Sequence, residues 1–142
     1  MSKSRVVGAF EQVSFPDFGL FDVVAKVDTG AYSGALHATS IKEVKLPTGQ
    51  KAISFLPFGN EPRTTVGTYE KKYVKSSNGS SEMRYVVATT STIRGVQYPI
   101  HISLSDRTNM MKGVLLGRRF LRQHGFLVDA ALGGEYRYEV KS

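Results

Sequence analysis

Phe21-Asp22-Val23-Val24-Ala25-Lys26-Val27-Asp28-Thr29-Gly30-Ala31 is the stretch on which the fold turns. Its first eight residues alternate. Phe21, Val23, Ala25 and Val27 fall on one face, with Asp22, Lys26 and Asp28 on the other, which is the period of a half-buried strand. The strand runs directly into Asp-Thr-Gly, so Asp28 is expected on the polar side at the strand's end, presented on a tight turn. Gly30 allows the sharp reversal, and its backbone N–H can support the carboxylate. Two readings of such a turn exist. In the first, Asp28 bonds its own backbone and does nothing more. In the second, it is half of a pair of carboxylates sharing one site, where like charges cannot both ionise and one keeps its proton. The chain holds one such motif, so the second reading requires two copies of the chain.

Working outward, the rest of the sequence also reads mainly as strands separated by turn residues. Ile100, Ile102 and Leu104 alternate against His101, Ser103 and Ser105, with Pro99 at the strand entrance, where a missing N–H does least harm. Between Thr68 and Ala88 two strand-like runs flank Ser76-Ser77-Asn78-Gly79-Ser80-Ser81. Asn-Gly is the strongest short-range hairpin signal because both residues tolerate positive φ. Asn78-Gly79-Ser80 also matches a glycosylation acceptor, read here as a chance match because no secretion signal accompanies it. One helix is predicted, from about Arg118 to His124: Phe120 and Leu121 face the core, Arg118 and Arg122 share an exposed flank, and Gly125 supplies the stop. With no repeat, linker or low-complexity segment, residues 1–142 are expected to form a single domain.

At 142 residues, 41% of them hydrophobic and including 8 Phe and 7 Tyr, the chain has ample material for one core. No stretch approaches the roughly 18 apolar residues of a membrane span, and Met1-Ser2-Lys3-Ser4-Arg5 has no apolar signal core behind it, so a cytoplasmic location is expected. The absence of cysteine excludes disulfides, thiolate nucleophiles and cysteine zinc sites. A net charge of +7, from 19 Lys and Arg against 12 Asp and Glu, favours an acidic partner without identifying it. The basic residues are spread along the chain in the manner of a solvated surface. No aromatic-basic recognition motif accompanies them, so nucleic acid is not the expected partner.

A second segment gives Asp28 its context. In Val114-Leu115-Leu116-Gly117-Arg118-Arg119-Phe120-Leu121, an apolar run and a glycine lead into the short helix. Asp-Thr-Gly-Ala early, a glycine-tipped hairpin in the middle and Leu115-Leu116-Gly117-Arg118 late together resemble retropepsins, the single-domain dimeric aspartic proteases of retroviral type. Closer still is the resemblance to one bacterial family within that type. It is carried by Ala25-Lys26-Val27-Asp28-Thr29-Gly30-Ala31 with Ala35-Leu36-His37-Ala38, by Ser76-Ser77-Asn78-Gly79, by Arg84-Tyr85-Val86-Val87, by Leu104-Ser105-Asp106-Arg107 with Met110, and by Phe126-Leu127-Val128-Asp129. The similarity runs from about Val7 to Asp129. Members of that family are commonly labelled ATP-dependent zinc proteases and are often associated with ATP-grasp peptide ligases.

The resemblance implies an all-β, closed-barrel fold of the acid-protease type with one short C-terminal helix, acting as a homodimer. Asp28, Thr29 and Gly30 would form the catalytic motif. One carboxylate would act as base on a water and the other, protonated, as acid toward the substrate carbonyl. Thr29 would lie behind the carboxylates and bond across the two-fold axis. Ala31, which brings no hydroxyl, would contact substrate together with Ser77, Asn78 and Gly79 of a flap. Leu116, Gly117 and Arg118 would support the loop from behind, with Arg118 pairing to buried carboxylate or backbone groups. Tyr136, Tyr138 and Val140 would pair across the dimer. A peptide or protein substrate, acidic in character, and an ATP-grasp ligase are the implied partners. A non-catalytic peptide-binding module of the same fold, partnering the ligase, is the alternative. Where family members commonly carry Ser after the loop, this chain has Gly34.

The label attached to the family finds no chemistry in the residues, and no metal or cofactor is expected. A zincin needs His-Glu-x-x-His on a helix, and His37, His101 and His124 lack that spacing. The phosphate-cradling Gly-x-x-x-x-Gly-Lys-Ser/Thr of an ATPase is absent too. His37 is expected to make a structural hydrogen bond. His101 reads as a polar-face strand residue and His124 as a helix end. Asp106, Arg107 and Met110 match the family pattern, with no role beyond a turn and its packing.

Overall fold

The computed structural model describes residues 5–75 and 78–137. Eleven strands are described: β1 Val6–Val7, β2 Phe10–Phe15, β3 Leu20–Asp28, β4 Gly34–Lys45, β5 Lys51–Pro57, β6 Thr64–Val66, β7 Tyr69–Lys75, β8 Ser81–Ile93, β9 Val96–Ser105, β10 Val114–Gly117 and β11 Leu127–Val128. One α-helix, α1 Arg118–Gln123, and short 3-10 turns at Pro16–Phe18 and Gly134–Tyr136 complete the described elements. The described residues are therefore mostly β with a single short helix late in the sequence, as the alternation leads one to expect.

Neighbouring strands pair in the order β10-β3-β2-β8-β9-β4-β5-β6, and β10 also pairs with β4, so the path of pairings returns on itself through six strands. Two of these contacts are parallel, β10 with β3 and β4 with β9. Inside lies one apolar cluster built from alternating strand residues, among them Val13, Phe15, Val23, Ala25, Leu36, Phe55, Val87, Ile102, Val114 and Leu116. Each Val, Leu, Ile or Phe fully removed from water contributes on the order of 1.5–3 kcal/mol. Phe120 and Leu121 fasten α1 to this core, as the helix pattern predicts. The helix ends at Gln123, one residue early, because His124 leaves helical geometry and Gly125 follows at φ +68°.

Three departures from simple alternation have local causes. Phe21 is 64% exposed and not part of the core. Asp22 takes a left-handed φ of 52°, its N–H donates to Ser14 Oγ at 2.9 Å, and the β2–β3 register shifts between Val13 and Phe15. A bulge there moves Phe21 to the solvent side while Val23, Ala25 and Val27 stay buried.

Pro99 lies inside a strand and not at its entrance, because β9 begins at Val96. The turn Ile93-Arg94-Gly95-Val96 has positive φ at both central residues, 48° and 78°, the geometry that suits a two-residue hairpin. Counting outward from it, Pro99 faces Thr90 at a non-hydrogen-bonded position, where the absent N–H points away from β8. Its carbonyl points the same way and accepts from His124 Nε2 at 2.8 Å.

Ser103, expected on the polar face with the exposed His101, is 4% exposed. At this point β9 is flanked by β4 as well as β8, and Ser103 Oγ donates to the Gly34 carbonyl at 2.7 Å. Burial here is satisfied by a hydrogen bond.

The predicted hairpin is formed by β7 and β8, in register from Tyr69 opposite Val87 to Lys75 opposite Ser81. Gly79 has φ 88°, and Asn78 Oδ1 accepts from the Ser80 N–H at 3.1 Å and from its hydroxyl at 2.8 Å. Ser76 and Ser77 lie outside the described residues, as do Tyr138 and Val140. Tyr136 closes a 3-10 turn, and its carbonyl accepts from the buried Lys112 Nζ.

Candidate active site

Asp28 is the last residue of β3, and Gly117 is its register partner on the parallel β10. The four pairs Val114 with Ala25, Leu115 with Lys26, Leu116 with Val27 and Gly117 with Asp28 bring the two motifs of the sequence side by side. Strand β10 also pairs with Leu36 and Ala35 of β4, so it is wedged between the strand that enters the Asp28 loop and the strand that leaves it.

Backbone atoms then hold the loop from both ends. Ala31 N–H donates to the Asp28 carbonyl at 3.2 Å, Arg118 N–H to the Ala31 carbonyl at 2.8 Å, and Arg119 N–H to the Tyr32 carbonyl at 3.1 Å. Gly30 N–H donates to Asp28 Oδ1 at 2.9 Å, which fixes the carboxylate rotamer. An ordinary turn gives the same bond. What sets this one apart is the strand seated behind it.

Arg118, half-buried, turns its guanidinium back onto the loop, with Nη1 at 3.3 Å from the Thr29 carbonyl and 3.2 Å from the Gly30 carbonyl. It also lies 5.6 Å from the centre of the Tyr32 ring. Its partners are therefore backbone carbonyls.

Two glycines make the wedge sterically feasible. A Cβ on Gly117 would meet the Tyr32 carbonyl oxygen at 2.6 Å and the Ser33 oxygen at 2.8 Å, and a Cβ on Gly34 would meet the Leu115 oxygen at 2.7 Å. These neighbours are main chain and cannot rotate aside. Gly34 thus has a local reason: β4 approaches β10 too closely for a serine.

Asp28 and Ala31 are half-buried, Thr29 and Gly30 are exposed, and Leu116 and Gly117 are buried beneath them. Asn78 and Gly79 stand exposed at the hairpin tip. The hairpin reaches the vicinity of the loop through its strands: Lys72, Val74 and Val86 share a cavity of about 220 Å³ with Tyr32, Ser33 and Gly34. Arg119 and Phe120 of α1, with His101 and Ser103 of β9, complete its wall.

His37 is buried, and its Nδ1 accepts from the Arg107 N–H at 2.8 Å, which places its ring proton on Nε2. Asp106 Oδ1 lies 3.8 Å from Nδ1. The shorter bond decides the matter: an Nδ1 already accepting from the Arg107 N–H offers no proton to Asp106. The carboxylate instead accepts from the Thr108 N–H at 2.9 Å and from the Thr108 hydroxyl. Arg107 Nε reaches the Lys112 carbonyl at 3.1 Å, and burial, with a smaller effect from Arg84, lowers its pKa. Asp106 and Arg107 therefore shape the loop between β9 and β10, and the Met110 side chain is exposed on it. Among the described residues, no three His, Asp or Glu side chains converge to hold a metal ion.

Sequence reasoning did not single out Tyr32, Lys72, Ser103 or Arg119. Proximity in sequence could have drawn attention to Tyr32 and Arg119, which adjoin the two motifs. Lys72 and Ser103 enter only through strand register.

The model of the RimB-like family, described as retropepsin-like aspartic endopeptidase RimB, matches residues 6–134. A probable alpha-L-glutamate ligase of Desulfotalea psychrophila is 31% identical over 134 residues, covering 90% of this chain and 28% of that protein. A protein of the same description from Shewanella pealeana is 32% identical over 119 residues, covering 80% of this chain and 26% of that protein. The chain thus spans little more than a quarter of the length of these relatives. A crystal structure of a protein of unknown function from Legionella pneumophila superposes with a TM-score of 0.73 at 27% identity, covering 92% of this chain and 96% of that one.

Proposed function

The chain belongs to the RimB-like family of retropepsin-like aspartic endopeptidases, and from that premise we propose that it hydrolyses peptide bonds with a pair of Asp28 carboxylates, one from each protomer of a homodimer. The observation that carries this reading is the seating of Asp28: a half-buried carboxylate at a strand end, its rotamer fixed by Gly30 N–H, on a loop backed by β10 and Arg118. Catalytic groups are held in this way by the scaffold and not by their own flexibility. The returning ladder of strands is the closed barrel of the acid-protease fold in this reading. The described residues hold one such loop, so the second carboxylate comes from a second copy.

The chemistry then follows from the pair. One carboxylate is ionised and the other protonated, because two like charges at hydrogen-bonding distance cannot coexist. The ionised Asp28 takes a proton from a water as its oxygen adds to the substrate carbonyl carbon. The protonated Asp28 gives its proton to the carbonyl oxygen, yielding a neutral tetrahedral diol. Collapse of the diol breaks the C–N bond, with a proton delivered to the departing amine, and leaves the pair again sharing one proton. Thr29 and Gly30 hold the carboxylates in place. Ala31 and the β7–β8 hairpin, with Asn78 and Gly79 at its tip, close over the substrate.

Acidic peptides are the proposed substrate class, supported by the +7 charge and by relatives described as glutamate ligases. An ATP-grasp ligase is the proposed partner, and the cytoplasm, where such a ligase works, the proposed location. No described helix is long and apolar enough to cross a membrane.

The chain has no cysteine, so Thr29→Cys introduces a single thiol for a direct test. Mild oxidation is expected to give a disulfide-linked dimer at high yield, and Asp28→Asn is expected to lower peptide cleavage by about 10²–10⁴-fold with the fold intact. A Thr29→Cys protein that stays monomeric on oxidation, or an Asp28→Asn protein that cleaves at the wild-type rate, would overturn the reading. The rival is a non-catalytic module: among the described residues β7 pairs with β8 alone, which leaves an edge for an added peptide strand. That reading expects Asp28→Asn to bind peptide normally and the wild-type protein to process none.

A further inference from the structure

The cavity beside the Asp28 loop has a charge pattern that the catalytic motif does not require. Its buried lining includes the apolar side chains of Phe120 and Val86, which are 5% and 8% exposed, and Ser103, whose hydroxyl donates to the Gly34 carbonyl. The charged side chains that line it, Lys72 of β7 and Arg119 of α1, are both cationic, and none of its described lining residues is acidic. At about 220 Å³ it falls short of the roughly 300–1,000 Å³ of a small-molecule site and suits a single side chain.

The two cations are held differently. Arg119 is anchored through its main chain, N–H to the Tyr32 carbonyl at 3.1 Å, while its guanidinium makes no hydrogen bond or ion pair among the described residues. Its neighbour Arg118 spends its own guanidinium on the Thr29 and Gly30 carbonyls. Lys72 lies 3.7 Å from Glu70, both about half exposed, an ion pair that solvent screens and an incoming anion can replace. A planar five-donor fork beside buried apolar side chains recognises a carboxylate in preference to a neutral amide.

We propose that this cavity is a specificity pocket in which Arg119, with Lys72 arriving from the hairpin, holds the carboxylate of one substrate side chain. The assignment rests on the peptidase reading above and deepens it by naming the residues that select acidic substrates. A carboxylate bound there bridges β7 to α1, so it draws the hairpin toward the same helix turn whose Arg118 supports the catalytic loop. Substrate charge and hairpin position are thereby linked through two adjacent arginines.

The probe is an α-linked hexaglutamate and the six peptides in which one Glu at a time becomes Gln. Cleavage is measured with the full chain, and binding is measured separately with the Asp28→Asn protein. At one position, Glu to Gln is expected to lower both kcat/KM and affinity by about tenfold or more, the scale of a charge-assisted hydrogen bond. Adding Arg119→Gln should collapse that difference to within about twofold at that position and leave the other five unaltered, a coupling that a double-mutant cycle isolates. Lys72→Gln should reduce it by a smaller factor, and Arg119→Lys, which keeps charge without the fork, should fall between wild type and Arg119→Gln. If no position is sensitive, or if the sensitive position stays sensitive in Arg119→Gln and Arg119→Lys, the pocket is not the selector. If binding shows the Arg119-dependent position while cleavage is nil, the peptidase reading fails and the pocket stands.

Discussion

The Asp28 loop and the β7–β8 hairpin face the same cavity, yet they are built on opposite principles. The loop is fixed by main chain: β10 pairs with the strands on both sides of it, three backbone hydrogen bonds tie residues 28–32 to one another and to the start of α1, and two glycines bring backbones closer than any Cβ would allow. The hairpin is fixed mainly by its own ladder and by side chains. Tyr69 is half-buried and the other residues of β7 are exposed, and Tyr69 and Lys71 reach Glu43 on β4. Backbone wedges admit no rearrangement, whereas exposed polar contacts exchange readily with water. On the peptidase reading the contrast is a division of labour: the carboxylate would be preorganised for chemistry, and the segment proposed to admit a peptide is left among the least buried parts of the fold.

The sharpest way to break this comparison is at its chemical centre. Asp28→Asn keeps shape and the Gly30 N–H bond while removing the ionisable group, so peptide cleavage should fall by about 10²–10⁴-fold with an unchanged unfolding midpoint. A loss of fold in parallel would show that Asp28 serves the turn and not a reaction.

Next in size comes steric difference. Gly117→Ala and Gly34→Ala should each destabilise by about 3 kcal/mol in chemical denaturation, since the new Cβ meets carbonyl oxygens under 3 Å away. Gly79→Ala at the hairpin tip has open space around it and should lose only about 1–2 kcal/mol, from its positive φ. Equal losses at the two sites would remove the distinction between wedge and hairpin. Smaller again, Arg118→Gln should lower kcat about tenfold with little change in KM, because the side chain positions the loop through the Thr29 and Gly30 carbonyls. Recovery of most of that loss in Arg118→Lys would confirm a charge-assisted backbone clamp; a change in KM alone would place Arg118 in substrate binding instead.

These differences also explain what the sequence disclosed. The strand into Asp28, the helix with Phe120 and Leu121 inward and the glycine-tipped hairpin were all legible, because each is written in local periodicity or turn chemistry. The adjacency of Asp28 and Gly117 was legible as a resemblance between motifs, while its cause, a parallel β10 wedged between β3 and β4, is long-range. Local pattern failed where tertiary pairing intervened. Phe21 was lost to a bulge whose signal is the Asp22–Ser14 contact, and Ser103 to burial by β4. Pro99 lies inside the strand because the Arg94-Gly95 turn ends five residues before Ile100, where the strand's evident alternation begins. Lys72 and Arg119 share a cavity only because register and helix placement bring them there.

The weakest link of the hairpin supplies the finest test. Glu43 accepts from the Tyr69 hydroxyl at 2.6 Å and pairs with Lys71 Nζ at 2.9 Å, and those two partners, the Tyr69 bond first, hold its pKa below the ordinary glutamate value. A depressed acid contributes stability that is present above its unfolded pKa, about 4.3, and is lost as the pH falls through the lower folded value. Tyr69 and Lys71 are shifted upward, chiefly by their bonds to Glu43, so their share is present below their ordinary values and lost as the pH rises through the raised ones. The contact should therefore hold across the neutral range and loosen at both extremes. Hydrogen-exchange protection of the β7 amides is expected to fall below about pH 4 in the wild-type protein. In Glu43→Gln it should be lower at neutral pH and nearly flat toward acid, while the Ala31 and Arg118 amides keep theirs in both proteins. If β7 protection is indifferent to Glu43→Gln, the ladder to β8 alone holds the hairpin, and its difference from the loop rests on exposure and not on an exchangeable latch.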